Sequence, residues 1–376
     1  MEGNKRKGTG EDEQQQQLIK RARQDDLSPD QHQSLVISSS DAGKNKGLIR
    51  SIKRTSSLQS PIIALSQAHG AEILDVKFSP HDGAYIAAAS ADKTISIWET
   101  YGSNRNLTML TGGHSKAVTA LAWSPSAPSS QPKLFSASVD GTITVWNPLK
   151  GIKLRRLRGH KATVNTIACT RGPREILASG SDDGSVLLWD PDSRHPIDSI
   201  DFGYPVTALA FSEDGSQLFI GSVDNDITVF DLTKHQTSYT LRGHTDTVAF
   251  LAVSPSAAQL LSASLDSTVR VWDVRPFVPE PPPGHVGSPR LHRTLTGTSA
   301  GFESFLIRGA WSRDGLSVAW GGGDRTVTIW DVEKSLITYK LPGHKGTCTA
   351  VDMHPRENII VSASTDQTLL LGEIDV

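Results

Sequence analysis

One short pattern recurs seven times along this chain and limits what it can fold into. It is an aspartate, then alternating apolar residues, then, in six of the seven copies, an aromatic side chain. The copies are SADKTISIW (90–98), SVDGTITVW (138–146), SDDGSVLLW (181–189), SVDNDITVF (222–230), SLDSTVRVW (264–272), GGDRTVTIW (322–330) and STDQTLLLG (364–372). Their aspartates, Asp92, Asp140, Asp183, Asp224, Asp266, Asp324 and Asp366, are 48, 43, 41, 42, 58 and 42 residues apart. A period near 42 means small units that cannot bury a face alone and must stack on their neighbours. Alternation of period two in TISIW or TITVW predicts a half-buried strand. The polar pair before it, such as Asp140-Gly141, predicts a tight turn from a preceding apolar strand, Lys133 to Ser138. A further strand lies upstream (Val118 to Trp123, Val164 to Ala168) and another follows the aromatic (Lys153 to Leu157). Four strands per copy and no helical period predict an all-β fold, a β-propeller of seven blades over residues 58–376. A lone strand, Pro61 to Ser66, precedes the first copy, and the last copy ends on a third strand, Thr368 to Ile374. The lone strand is expected to become the fourth strand of the last blade, closing the ring with no open sheet edge.

A second mark keeps phase with the first. Ala68-His69, Gly113-His114, Gly159-His160, Gly243-His244 and Gly343-His344 place a histidine 22 to 26 residues ahead of the turn aspartate. Trp-Asp or a near equivalent closes the third strand, as at Trp98-Glu99, Trp189-Asp190, Trp272-Asp273 and Trp330-Asp331. With these marks residues 62–374 resemble the WD40 repeat family. The resemblance implies that histidine and aspartate join a second-strand serine and the tryptophan indole in a buried hydrogen-bond network. Complete sets are His114, Ser136, Asp140 and Trp146; His160, Ser179, Asp183 and Trp189; and His244, Ser262, Asp266 and Trp272. Ser362 holds the same position in the last copy, which ends on Gly372-Glu373. The fourth and sixth copies lack the histidine, with Phe202 and Phe302 at or near its place, and are expected to rely on packing.

Histidine, aspartate and serine together also describe a nucleophilic triad. A catalytic site, however, is one unusual constellation in a cleft. A set repeated in most blades is architecture, because buried polar groups need partners. The chain has no phosphate loop, HExxH, CxxC pair or GxSxG elbow. No catalytic residue, metal ligand, cofactor or small-molecule substrate is therefore expected.

Residues 1–57 differ from the rest. They hold the run Gln14 to Gln17, serine clusters, and no tryptophan, tyrosine or phenylalanine. Such a segment cannot offset its ordering entropy, and it is expected to be disordered when free. Its 11 basic and 8 acidic residues leave it at +3 and the rest of the chain at −5, within a net charge of −2. Lys5, Arg6 and Lys7, then Lys20, Arg21 and Arg23, form two basic clusters on a flexible spacer, the pattern of a bipartite nuclear import signal. The other reading is a solvated basic tail. Two cysteines, Cys169 and Cys348, make no disulfide framework, which suits a reducing compartment. No secretory signal and no apolar run of roughly 18–20 residues is found, so membrane and secreted classes are not expected.

The loops before each first strand and around each turn share one face, and this face is the expected contact surface. Candidates there are Glu72, Leu74, Asn165, Asp182, Thr207, Phe305 and Thr349, with ordinary solvated rim as the alternative. The 58-residue interval opens on Arg275-Pro276-Phe277-Val278-Pro279-Glu280-Pro281-Pro282-Pro283 and exceeds the period by 16 residues. Pro276 and Phe277 are candidates for a stiff, extended contact; an inconsequential insertion is the other reading. SSLQSPI (56–62), GSVDNDITVFDL (221–232), DSTVRVWDVRPF (266–277), YKLPGH (339–344) and LLLGEI (369–374) resemble the spliceosomal branch of the family, the WD-repeat subunits of the U5 small nuclear ribonucleoprotein. The SPSAPSSQPK loop (124–133) and the proline segment depart from it, so contacts made by those loops do not carry over. The resemblance implies a nuclear, non-catalytic scaffold in pre-mRNA splicing, docked on the large central protein of the U5 particle. Other spliceosomal proteins are expected partners, and RNA contact is at most secondary, in keeping with the acidic ring. Trp272-Asp273-Val274-Arg275 also fits the WDxR pattern of substrate receptors of cullin-based ubiquitin ligases, which is the alternative function.

Overall fold

The structure is a computed structural model that describes residues 56–125, 132–171, 174–278 and 288–374. The import-signal clusters, most of the SPSAPSSQPK loop and the proline run 279–287 lie outside the described residues. Among the described residues are 28 strands and no helix. They form seven antiparallel sheets of four strands. Six sheets take their strands in chain order; the seventh adds Ile62–Leu65 to the outer side of Leu369–Glu373, with Ile62 opposite Gly372 and Leu65 opposite Leu369. The expected closure by the leading strand is therefore present. It is reinforced by Glu373 N–H donating to Pro61 O at 2.8 Å. Ser56 N–H donates to the Glu373 carboxylate at 2.9 Å, and Ser57 N–H to that of Glu357 at 2.7 Å.

The period-two pattern decides how the blades pack. Residues on alternate faces of the second and third strands are apolar on both sides, so each sheet needs a neighbour on both faces. Seven hydrophobic clusters answer this, each shared by two consecutive blades. Blade one joins blade two through Ile95, Ile97, Trp123 and Trp146. Blade seven joins blade one through Leu58, Leu65, Ile73, Trp98 and Leu371, so the first and the last described strands enter one core. The indoles of Trp146, Trp189, Trp272 and Trp330 are fully buried. Gly113 is glycine because a Cβ there would lie 2.1 Å from the Trp146 ring.

The seven inner strands surround the ring axis: Ile73–Phe78, Val118–Trp123, Val164–Cys169, Val206–Phe211, Val248–Val253, Gly309–Trp311 and Cys348–Met353. Six of them carry a bulge at their second residue: Leu74, Thr119, Asn165, Thr207, Ala249 and Thr349. A bulge re-aims its side chain out of the alternation. The sixth blade starts late, and Arg308 stands just ahead of its three-residue inner strand.

The closure carries a stability prediction. Leu58→Ala should cost about 2–4 kcal/mol through the cavity it leaves. A chain starting at residue 67 should melt at lower temperature and self-associate through the opened edge of Leu369–Glu373. Circular dichroism and light scattering read both effects; unchanged melting would mean the leading strand does not hold the ring.

Candidate functional site

The histidine, serine, aspartate and tryptophan sets come together as hydrogen-bonded networks inside single blades. In blade three His160 Nε2 lies 2.7 Å from Ser179 Oγ and its Nδ1 3.0 Å from Asp183, while the Trp189 indole N–H donates to the same serine oxygen at 2.8 Å. Blade five repeats this with His244 to Ser262 at 2.7 Å, His244 to Asp266 at 2.8 Å and Trp272 to Ser262 at 2.8 Å. In blade two His114 and Trp146 meet Ser136 at 2.7 and 2.8 Å. There Arg156 draws Asp140 to 3.1 Å and leaves it 3.6 Å from His114. Blade seven has the His344–Ser362 and His344–Asp366 contacts at 2.8 and 3.3 Å, without an indole.

Two parts of the network escaped the sequence reading. Blade one is complete: His69 reaches Asp92 at 3.0 Å and Ser96 at 2.8 Å, and Trp98 donates to Ser96 at 2.8 Å. Its hydroxyl comes from the third strand, because Ser96 faces Ala88 directly across the ladder and Ala88 fills the usual serine position. A third-strand hydroxyl two residues after the aspartate also belongs to each set. Thr94, Thr142, Ser185, Thr268 and Thr368 each donate to the turn aspartate at 2.6 Å. The repeated Asp-x-Thr or Asp-x-Ser spacing was the available signal. The other carboxylate oxygen accepts the N–H just after the histidine, as from Lys161 at 2.8 Å, and so clamps the loop over the blade.

Blades four and six solve the same problem with bulk. Ile220 and Trp320 occupy the position four residues before the aspartate, where the other blades have serine or alanine. Both are buried, and the Trp320 indole donates to Ile307 O at 3.2 Å. Phe202 packs half-buried between blades three and four. Phe302 does not take the histidine's place: its ring is fully exposed, and the buried residue nearby is Ala300. With no histidine beneath, Trp330 donates instead to Thr296 O at 3.0 Å.

The candidate contact residues divide into three groups. Asn165, Thr207 and Thr349 are buried rather than presented to solvent. Their bulged positions send them into the next blade: Asn165 Nδ2 donates to Val206 O at 3.0 Å, Thr207 Oγ1 to Val248 O at 2.6 Å, and Thr349 Oγ1 to Ile73 O. Thr119 makes the equivalent bond to Val164 O. Asp182 is exposed and orients Asn165 at 2.6 Å. Glu72, Leu74 and Phe305 converge, with Asn165 and Thr349, around a cavity of about 370 Å³ at the mouth of the axis. Pro276 and Phe277 are not part of it. They are exposed in the loop after the third strand of blade five, at the opposite end of the strands, with Phe277 at 93% exposure. Arg275 is turned back onto Asp273, its Nε 3.0 Å from both carboxylate oxygens, so nothing in this loop favours the WDxR reading.

These groups hold structure rather than reactive states. Burial, working against the pull of Asp140, lowers His114 to about 4, and it lowers His160 and His244 in the same direction. Burial opposes ionisation of Asp140 and Asp183, but the hydrogen bonds from Thr142 and Ser115 to the first and from Ser185 and Lys161 to the second, with the neighbouring His114 and His160, together outweigh it and hold both at about 2. Burial pushes the Cys348 thiol up to about 12 and Cys169 higher still, the reverse of an activated nucleophile. No cluster of three or more metal-ligating side chains occurs among the described residues.

Three outcomes are expected. Asp183→Ala leaves His160 and the Lys161 N–H without their partner and should cost about 1–3 kcal/mol in urea unfolding. Ser96→Ala should cost a similar amount, and Ala88→Ser added to it should recover part, because the two positions face each other. The pH dependence has a definite sign. The buried histidines bind protons less readily than in the unfolded chain, so their stabilisation is lost as pH falls below about 6.5, a loss that for His114 continues to about 4. The aspartates, ionised down to about 2 in the fold, add a second loss as pH falls below about 3.9. Melting temperature should therefore decline in two steps on acidification. A flat profile between pH 7 and 4 would contradict the histidine step.

Comparison with known proteins agrees with this geometry. A family profile described as "WD domain, G-beta repeat" matches residues 60–99, 105–147, 151–190, 198–231, 235–273 and 335–371. The first three strands of the sixth blade, which lacks the network histidine and serine, fall between the last two of these matches. The U5 small nuclear ribonucleoprotein 40 kDa protein of Dictyostelium discoideum is 35% identical over 93% of this chain and 94% of its own length. The Homo sapiens protein of the same name is 41% identical over 85% of this chain and 86% of its own. Pre-mRNA-splicing factor cwf17 of Schizosaccharomyces pombe is 34% identical over 86% of this chain and 91% of its own. The chain thus belongs to the WD40 repeat family and, within it, to the group of the U5 small nuclear ribonucleoprotein 40 kDa proteins.

Proposed function

We propose that this chain is a non-catalytic scaffold of the spliceosome, a nuclear component of the U5 small nuclear ribonucleoprotein that acts in pre-mRNA splicing by docking on the large central U5 protein. The observation that carries this reading is similarity running end to end, 93% of this chain against 94% of the Dictyostelium discoideum U5 protein. Such coverage fits a shared whole-ring role better than a shared repeat alone. The structure is compatible with a scaffold in two ways. Its histidine, aspartate and serine sets are spent on internal hydrogen bonds, and its axial mouth is a rigid surface built from several blades. Protein contact ranks ahead of RNA contact because the chain beyond residue 57 carries a charge of −5. No observation favours the ubiquitin-ligase alternative.

Affinity purification of the full chain from nuclear extract, with and without ribonuclease, tests the reading. U5 proteins should remain bound after ribonuclease treatment. Recovery of a ligase adaptor without splicing proteins would overturn it. Replacing Lys5, Arg6, Lys7, Lys20, Arg21 and Arg23 by alanine should reduce nuclear accumulation of a fluorescent fusion; unaltered localisation would show that these clusters do not direct import.

A further inference from the structure

The segment that leads into the closing strand starts on two serines held by carboxylates. Ser56 N–H donates to Glu373 at 2.9 Å and Ser57 N–H to Glu357 at 2.7 Å. Ser57 is exposed, and its hydroxyl also faces the Glu357 carboxylate. Directly after it Leu58, 5% exposed, anchors the segment in the core shared by blades seven and one. The carboxylate is fixed in place. Tyr101 of blade one donates to its other oxygen at 2.9 Å, and the Glu357 N–H donates to Nδ1 of the buried His354 at 2.9 Å. His354 Nε2 in turn lies 3.0 Å from the Tyr101 hydroxyl, so blade one, blade seven and the leading segment meet in one network. Burial raises Glu357, but the hydrogen bonds from Ser57 and Tyr101 outweigh it and hold the carboxyl below its ordinary value.

The chain just ahead of Ser57 carries the opposite charge. Arg50, Lys53 and Arg54 precede it by seven, four and three residues, with no acidic residue between. Arginine three residues before a serine, and a large apolar residue after it, is the pattern that basophilic kinases read through acidic side chains of their substrate groove. Such a groove takes several residues in extended form, and Leu58 is not available to it while buried. Modification therefore requires the segment to lift, before the last blade has formed or during local opening. Phosphoryl transfer joins Ser57 Oγ to the γ-phosphorus of ATP as the bond to the β-phosphate oxygen breaks. The hydroxyl proton passes to the kinase base, and ADP leaves. The product bears a charge of about −1.5 to −2 where a neutral hydroxyl faced Glu357. Its return to that carboxylate is opposed by like-charge repulsion. Arg356, the neighbouring cation in the chain, has its Nε engaged with His81 O at 2.6 Å.

We propose that Ser57 is a phosphorylation site for a basophilic serine/threonine kinase, modified while the leading segment is lifted, and that the phosphate then opposes closure of the ring against Glu357 and Glu373.

The full chain, incubated with MgATP and the catalytic subunit of cyclic-AMP-dependent protein kinase, provides the test. Fragmentation mass spectrometry should place phosphate on Ser57. Leu58→Ala, which loosens the anchor, should raise the initial rate of its uptake by about tenfold. In hydrogen exchange the phosphorylated chain should exchange the amides of Ile62–Leu65 and Leu369–Glu373 about tenfold faster than the unmodified chain. In a Glu357→Gln chain the same comparison should give about threefold, because one of the two repelling charges is gone. Leu58→Ala can weaken the whole ring, so the Glu357→Gln comparison, at a partly exposed side chain, carries the test by itself. Phosphate confined to Ser51, Thr55 or Ser56, or none taken up at all, overturns the assignment of the site. Exchange that is unchanged or slower after phosphorylation of Ser57, or equally accelerated in the Glu357→Gln chain, overturns its effect on closure.

Discussion

Each blade of this protein is apolar on both faces, and that is the constraint on which the rest of the structure depends. A four-stranded sheet of this kind is never complete by itself; it is half of two interfaces. In five of the seven seams apolar side chains of one blade meet the third-strand tryptophan of the next; Phe230 takes that place between blades three and four, and the seam between blades six and seven has aliphatic side chains there. A linear stack would leave two faces wet, so burial is complete only when the seventh blade meets the first. The core that includes Leu58, Leu65, Ile73 and Leu371 is where that requirement is met. Burying one such side chain is favourable by roughly 1.5–3 kcal/mol, so a seam outweighs any one hydrogen bond within it.

The polar networks are a second layer, and the sequence varies them without losing the blade. Five blades join a histidine to a serine hydroxyl and a turn aspartate; blade one swaps that serine across its ladder to Ser96. Blades four and six dispense with the network and place Ile220 and Trp320 in the gap. What the substitution changes is the loop above. Where histidine and aspartate are present, the loop is tied to the turn by the aspartate; over blade six, among the described residues, only the Gly323 N–H bond to Ser299 O joins loop and turn, and Ser304, Phe305, Leu306 and Arg308 line part of the axial mouth. The surface of greatest chemical interest thus lies where the repeat is least regular, as expected when function is carried by loops on a rigid frame.

How far the sequence could be read follows from the range of each signal. The seven blades and the closing strand were legible because a 42-residue period and a strand alternation are local patterns, repeated. The networks of blades two, three and five were legible through the family resemblance. Ser96 was hidden because a cross-ladder swap moves the hydroxyl eight positions along the chain while hardly moving it in space. Trp320 neither closes a third strand nor ends a first one, so its place in the serine's position shows only in the structure. Thr207 and Thr349 were placed on the contact face by their position before the strand, but a one-residue bulge turns them into the next blade. Leu74 and Phe305, more than two hundred residues apart, meet only because the ring brings every inner strand to one axis.

The shared seventh blade also sets a clock on synthesis. Ile62–Leu65 leaves the ribosome early, whereas its partner Leu369–Glu373 is about three hundred residues further on. At roughly 5–20 residues per second the two are separated by about 15–60 s. During that interval the first strand has no ladder to join, and the outer face of blade one has no cover. The nascent chain therefore passes through an open arc with two adhesive ends. Whatever keeps those ends from joining a neighbouring chain, in the cell or in a refolding tube, determines the yield of closed rings.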